Sequence, residues 1–191
     1  ATLKAFMNWA LERELHQNLT YKKFRVQQRE VEIVALTEEE LTKLYEHDLS
    51  KKPRLERVRD VFCFACFTGQ RYSDLALLKH SDIKGSSWHL RQKKTDSINR
   101  VPLVPRALAI LERYKDDAHP LPVPSNQKMN EYLKELCREV ELDEPTTITL
   151  KRGGMRVEET VPKHELISSH TGRRTFITLA REMGMRLEMV M

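Results

Sequence analysis

The chain has 191 residues, enough for one well-buried domain or for a domain joined to part of another. With 40% apolar and 32% charged residues, six glycines and eight prolines, it is neither disordered nor low in complexity. Its 33 Lys and Arg against 28 Asp and Glu leave a net charge of +5, and no apolar run approaches the ~20 residues of a membrane-spanning helix.

Ala1 to Ala10 lack the basic start and long apolar stretch of a signal peptide, and three cysteines cannot make a disulfide framework. The expected setting is therefore the reduced cytoplasm. Leu3, Phe6, Met7, Ala10, Leu11 and Leu15 share one face of a predicted helix over residues 1–16. A polar stretch, His16 to Glu32, then reads as a linker. One short helix cannot bury its own apolar face, so residues 1–20 read as the tail of a preceding domain.

Thr37 and Glu40 form a predicted capping box in front of Leu41, Leu44 and Tyr45. Pro53 suits the first turn of an apolar helix running to Phe67 and stopped by Gly69, and a short helix is predicted over residues 73–79. Residues 87–92 and 100–104 alternate as two strands around a polar turn at 95–99. Helices are predicted over 106–116 and 125–140, separated by an extended connector at Pro120, Pro122 and Pro124. Residues 146–162 read as a hairpin across Gly153-Gly154, and a last helix runs from Ser169 to Gly184. The fold class is mainly α with a small antiparallel β-sheet (α+β).

Residues 51–100 carry a net +7 and residues 151–191 a net +3, whereas the two other stretches are acidic. A polyanionic partner would meet two stretches that the fold brings together. Within them, polar residues stand where packing would not put them. Arg71 follows a Gly-terminated apolar helix, and Asp74 either braces it or caps the next helix. Lys93 and Lys94 stand at a hairpin tip. His170 and Arg173 share a helix face at i and i+3, and the same geometry sends Arg174 elsewhere. Two arginines, a lysine and a histidine around one cleft suit a phosphodiester, because guanidinium forks neutralise charge as phosphorus becomes five-coordinate. A lysine can protonate a departing alkoxide. There is no Gly-rich phosphate loop, which argues against a nucleotide, and no carboxylate cluster of metal-binding type.

The order Thr-Gly-x-Arg-x-Ser-Asp-Leu from Thr68, then Lys-Thr at Lys94, then Ser-His-x-x-Arg-Arg-Thr-Phe from Ser169 resembles the tyrosine recombinases (phage-integrase family). The likeness is strongest to integrases of prophages and conjugative transposons. The resemblance covers residues 35–191 as a catalytic domain, incomplete at its C-terminus, with residues 21–34 as linker. Residues 1–20 are similar to the last helix of a truncated core-binding domain. It implies that Arg71 and Arg173 hold the scissile phosphate and that Lys94 protonates the leaving 5′-oxygen, with Lys93 the neighbouring alternative. His170 would hydrogen-bond the phosphate and help deprotonate the nucleophile, and Asp74 would support the site around Arg71. Lys93 and Arg174 would contact DNA. The implied partners are double-stranded DNA and further copies of the chain, as a tetramer on DNA, with no cofactor, nucleotide or membrane. In the family a tyrosine attacks, and the 3′-phosphotyrosyl bond conserves the phosphodiester energy without ATP or metal.

The sequence departs from the pattern in one respect. The family nucleophile lies beyond His-x-x-Arg, whereas Tyr21, Tyr45, Tyr72, Tyr114 and Tyr132 all precede His170. The nucleophile is thus expected to be absent from this chain, and the fragment to be inactive alone. Cys63 and Cys66 have metal-ligand spacing but read as core thiols with Cys137, Trp88 reads as packing, and His164 and the other scattered histidines as surface or capping groups. Met183, Met185, Met189 and Met191 read as packing a partner helix. A non-catalytic DNA-binding module is the competing reading, and a metal-dependent nuclease a weaker one.

Overall fold

The computed structural model describes residues 2–24, 34–91, 98–152 and 155–186. Its contacts fall into two compact units, Ala1–Val31 and Glu32–Met191. In the first, helix α1 (Thr2–Glu12) stops short of the predicted residue 16 because Glu14 takes a left-handed φ of 57°. The Leu15 N–H then donates back to the Ala10 carbonyl at 3.0 Å, which satisfies the helix end. Within the predicted linker, Thr20–Lys23 forms a single 3₁₀ turn, and the Tyr21 hydroxyl donates to Asn8 Oδ1 at 2.7 Å. The linker's residues 25–33 lie outside the described residues. On the predicted apolar face, Leu3, Phe6 and Leu15 are exposed.

The second unit is built around one helix. Helix α2 (Glu38–Glu46) starts at the predicted capping box: Thr37 Oγ1 accepts the Glu40 N–H at 3.2 Å, and Glu40 Oε2 accepts the Thr37 N–H at 2.8 Å. Helix α3 (Pro53–Thr68) follows, with Pro53 in its first turn and Gly69 as its left-handed end at φ 67°. Leu55, Val58, Val61, Phe62, Phe64, Ala65 and Cys66 are all buried, and from Val61 onward α3 is apolar nearly all round. Such a helix must be covered on every side. Its cover is α2, α5 (Pro105–Arg113), α6 (Asn126–Glu139) and α8 (Ser169–Glu182).

Helix α4 (Tyr72–Leu75) is shorter than the predicted 73–79. Asp82 Oδ2 accepts the Lys79 N–H at 2.9 Å and opens a 3₁₀ turn, so the chain leaves the helix early and buries Leu75 and Leu78. Strands β1 (Ile83–Lys84), β2 (Ser87–Arg91) and β3 (Ile98–Pro102) form an antiparallel sheet in that order. The two-residue β1 has no sequence signature, and β3 lies two residues earlier than predicted. Trp88 pairs with Val101 and is fully buried, with its ring centroid 6.1 Å from that of Phe64, so the sheet seals α3 as the packing reading expects.

Strands β4 (Pro145–Arg152) and β5 (Met155–Pro162) make the predicted hairpin, whose turn at 153–154 lies outside the described residues. A single helical turn, α7 (Lys163–Leu166), joins it to α8 and was not predicted. Lys163 Nζ reaches both Glu40 carboxylate oxygens, at 2.7 and 2.8 Å, so the capping glutamate of α2 also anchors the hairpin's base. The surface or capping role expected of His164 is corrected: the residue is 7% exposed, with Nδ1 2.6 Å from Asp143 Oδ1 and its backbone N–H on the Leu142 carbonyl. Mainly helical with small antiparallel sheets, the fold has the expected α+β class.

One charged pair sits inside α3. Asp60 is fully buried and accepts from Arg59 Nε at 3.0 Å, Arg113 Nη1 at 3.1 Å and the Tyr114 hydroxyl at 2.8 Å, while Arg59 Nη1 donates to the His47 carbonyl at 2.7 Å. The network ties α3 to α5 and to the end of α2. Asp60→Ala leaves buried Arg59 with only Glu56, at 3.3 Å, as its counter-charge and is expected to cost about 3 kcal/mol, read as a lower urea midpoint.

Candidate functional site

The site grows from the end of α3. Gly69 holds a positive φ, and the Phe176 ring of α8 occupies the space a Cβ there would need. Four residues earlier in α8 (169–182), Gly172 lets that helix approach α3 closely, since a Cβ on it would lie 2.9 Å from the Ala65 Cβ. Thr171 and Thr175 on the same face are fully buried, and Thr175 Oγ1 accepts the Leu36 N–H at 3.0 Å. These contacts fix the rotation of α8, which leaves His170 exposed and Arg173 and Arg174 half-buried.

Arg173 Nη1 donates to the Gly69 carbonyl at 2.6 Å, so its guanidinium is drawn to the turn that follows α3. Two residues past Gly69, Arg71 caps the start of α4, with its side chain exposed. Asp74 resolves the alternatives that the sequence leaves open: its Oδ2 accepts the Arg71 backbone N–H at 3.3 Å and so caps the turn. Its charge also reaches Arg173.

The electrostatics connect these groups. Although the side chain is exposed, partial desolvation holds the His170 pKa below its ordinary 6.5, and the positive charges of Arg174, Arg173 and Arg71 lower it further. Arg173 is likewise held below the ordinary guanidinium value by burial and by Arg71, with Asp74 opposing. Arg71, His170, Arg173 and Asp74 are therefore brought together. Arg174 joins them, contrary to the expectation that helix geometry sends it elsewhere. It stands four residues after His170, and i, i+4 neighbours share a helix face as i, i+3 neighbours do. Lys93 and Lys94 lie outside the described residues. Arg71 and Arg173 repel each other, and an anion between them relieves that repulsion. A histidine of lowered pKa is neutral at neutral pH and can accept a proton.

Other chemistry is committed elsewhere. Cys63, Cys66 and Cys137 are buried thiols, and burial pushes Cys137 up to about 12, far from a reactive thiolate. Among the described residues no group of three or more His, Cys, Asp or Glu is arranged for a metal ion. No helix of the described residues is long and apolar enough to cross a membrane. Within the second unit the tyrosines have other partners: Tyr45 lies edge-on to Phe67, Tyr114 bonds Asp60, and Tyr132 lies beneath Arg54. Tyr72, although next to Arg71, donates its hydroxyl to the Pro124 carbonyl at 2.5 Å. Three supports escaped the sequence reading: the Gly69 carbonyl under Arg173, the Gly172–Ala65 contact, and two asparagines of α6 that meet Ser169. The glycine following Thr171 within a helical pattern was the one available sign of close packing.

The family model described as "Phage integrase family" matches residues 35–191. Among solved structures, a lambda integrase dimer bound to a COC′ core site is similar with a TM-score of 0.65 at 19% identity, over 95% of this chain and 62% of that one. The Tn1549 transposon integrase in complex with circular intermediate DNA gives a TM-score of 0.62 at 15% identity, over 98% and 66%. A lambda integrase tetramer bound to a Holliday junction gives 0.59 at 19% identity, over 95% and 52%. The chain thus spans between half and two-thirds of these proteins' chains. At such identities the likeness is one of fold. No curated protein matches the chain.

Two outcomes follow from the geometry. Gly172→Val drives a branched side chain into Ala65 and is expected to cost about 1–3 kcal/mol as overpacking, measured by chemical denaturation. Because the folded chain holds His170 below 6.5, protonation favours unfolding. Stability should therefore be unaffected by His170 above pH 6.5 and should fall as pH drops through the window between that value and the folded pKa. In a histidine NMR titration, Arg174→Ala should raise the His170 pKa.

Proposed function

The chain belongs to the phage integrase family, and we propose that it is the phosphate-gripping part of a site-specific DNA recombinase. The observation that carries this reading is the convergence of Arg71, His170 and Arg173 around the Gly69 turn, inside the segment that the family model covers. Arg71 and Arg173 neutralise the non-bridging oxygens of one phosphodiester, and they do so most strongly as phosphorus becomes five-coordinate. Asp74 holds the turn that presents Arg71, and Arg174 and Lys93 add contacts to the neighbouring backbone.

A tyrosine other than the five in this chain attacks. Its phenolic oxygen forms the new bond to phosphorus as the bond to the 5′-oxygen breaks. His170, neutral before DNA arrives, hydrogen-bonds the phosphate and takes up the phenolic proton, and the bound phosphate raises its pKa by compensating the arginines. Lys94 gives a proton to the departing 5′-oxygen. The 3′-phosphotyrosyl bond that results keeps the energy needed for rejoining, so reversal needs no nucleotide. Duplex DNA is the substrate, and the solved tetramer on a Holliday junction supports assembly of several copies on DNA.

Binding to a mixed-sequence duplex, followed by fluorescence anisotropy over a salt series, tests the gripping role. The logarithm of the affinity should fall linearly with the logarithm of salt, and Arg71→Ala and Arg173→Ala should each reduce the slope by about one. In a protein that carries this chain together with an attacking tyrosine, a denaturing gel should show a covalent adduct at the 3′ phosphate that survives chelator and disappears with Arg173→Ala. Tight DNA binding without an adduct would leave the non-catalytic binding module as the better reading.

A further inference from the structure

We propose that Asn130, with Asn126 one helical turn before it, is a positioning residue for His170. The first turn of α8 has one local capping contact, the Ser168 N–H donating to Thr171 Oγ1 at 3.0 Å. Ser168 stands at the N-cap position, yet its hydroxyl lies 3.5 Å from Thr171 Oγ1 and caps no helix N–H. The Ser169 groups are held by another helix: Asn130 Oδ1 accepts the Ser169 N–H at 2.8 Å, and Asn126 Oδ1 accepts the Ser169 hydroxyl at 3.0 Å. Asn130 Nδ2 donates to Asn126 Oδ1 at 3.4 Å, so the two amides brace each other.

A cap drawn from a neighbouring helix does more than satisfy an orphan donor. It sets the azimuth of the first turn of α8 against α6, and the next residue after Ser169 is His170. The connector that enters α6 is itself tied to the opposite side of the site, because Tyr72, adjacent to Arg71, donates to the Pro124 carbonyl. A continuous hydrogen-bonded bracket therefore runs from the Arg71 turn through Pro124 and α6 to Ser169. The Arg173–Gly69 bond joins the same two segments a second time. The Ser168–Thr171 contact serves the helix end locally; a bond supplied across 39 residues fixes a spacing. The inference rests on the reading of this cluster as an anion site.

The test compares the whole chain with Asn130→Ala and Ser169→Ala in three readings: a histidine NMR titration, affinity for a mixed-sequence duplex, and the thermal midpoint. Asn130→Ala should let the first turn fray, so that the His170 titration moves up toward 6.5 as the residue leaves Arg71, Arg173 and Arg174. Duplex affinity should fall about fivefold, the size of a lost helix cap. Ser169→Ala keeps the N–H bond to Asn130 and should shift both readings less. A lower thermal midpoint with an unchanged His170 titration and affinity would make Asn130 purely structural and overturn the proposal. If Asn130→Ala does not fold, Asn130→Gln, which displaces the accepting oxygen by one methylene, decides by the same readings, and an unmoved titration there overturns it. A wild-type chain that fails to bind DNA while its His170 titration still responds to Asn130→Ala would support the positioning role and count against the DNA reading alone.

Discussion

The approach of α8 to α3 at Gly172 and Ala65 is the constraint on which the site depends. A side chain at position 172 would hold the two helices apart, and the reach from Arg173 to the Gly69 carbonyl would be lost with the contact. Gly69 is needed for a related reason, since its left-handed backbone ends α3 while Phe176 fills the space beside it. Two glycines therefore dock the helix of His170 and Arg173 onto the helix whose end presents Arg71. The buried Thr171 and Thr175 add directional hydrogen bonding to this shape fit. Thr175 in particular pins the chain entering α2.

The same docking concentrates positive charge. Burial and mutual repulsion hold both His170 and Arg173 below their ordinary values, which is a cost the fold bears in the absence of an anion. Structures keep such costs where they serve binding. The stabilising networks lie elsewhere: Asp60 gathers donors from Arg59, Arg113 and Tyr114, and Lys163 pairs with Glu40 at the root of the hairpin. In those networks charges are paired and enclosed. Around His170 they are alike and open.

Most of the fold was legible in the sequence, because the local signals were strong. Thr37 and Glu40 made the predicted capping box, Pro53 and Gly69 bounded α3, and the alternation around Trp88 marked a strand. Elements shorter than a period escaped: β1 has two residues and α7 one turn, too few for a hydrophobic pattern. The exposed Leu3, Phe6 and Leu15 show that a helical periodicity names a face without saying what covers it. At the site, sequence order picked out Arg71, Asp74, His170 and Arg173, and the fold brings these four together. Arg174 was misplaced because only the i, i+3 relation was applied. The buried setting of His164 was missed because its partner, Asp143, comes from across the hairpin. Backbone acceptors such as Gly69 and cross-helix caps such as Asn130 are tertiary features that no local pattern encodes.

A double-mutant cycle on duplex DNA binding tests the central claim most directly, with Arg71→Ala, Arg173→Ala and both together at one salt concentration. Two arginines that grip one phosphate act as a unit, so the double variant should lose less than the sum of the single losses, by about 1 kcal/mol or more. Losses that add to within about 0.5 kcal/mol would mean that the two arginines bind independently, and the shared phosphate site would be contradicted.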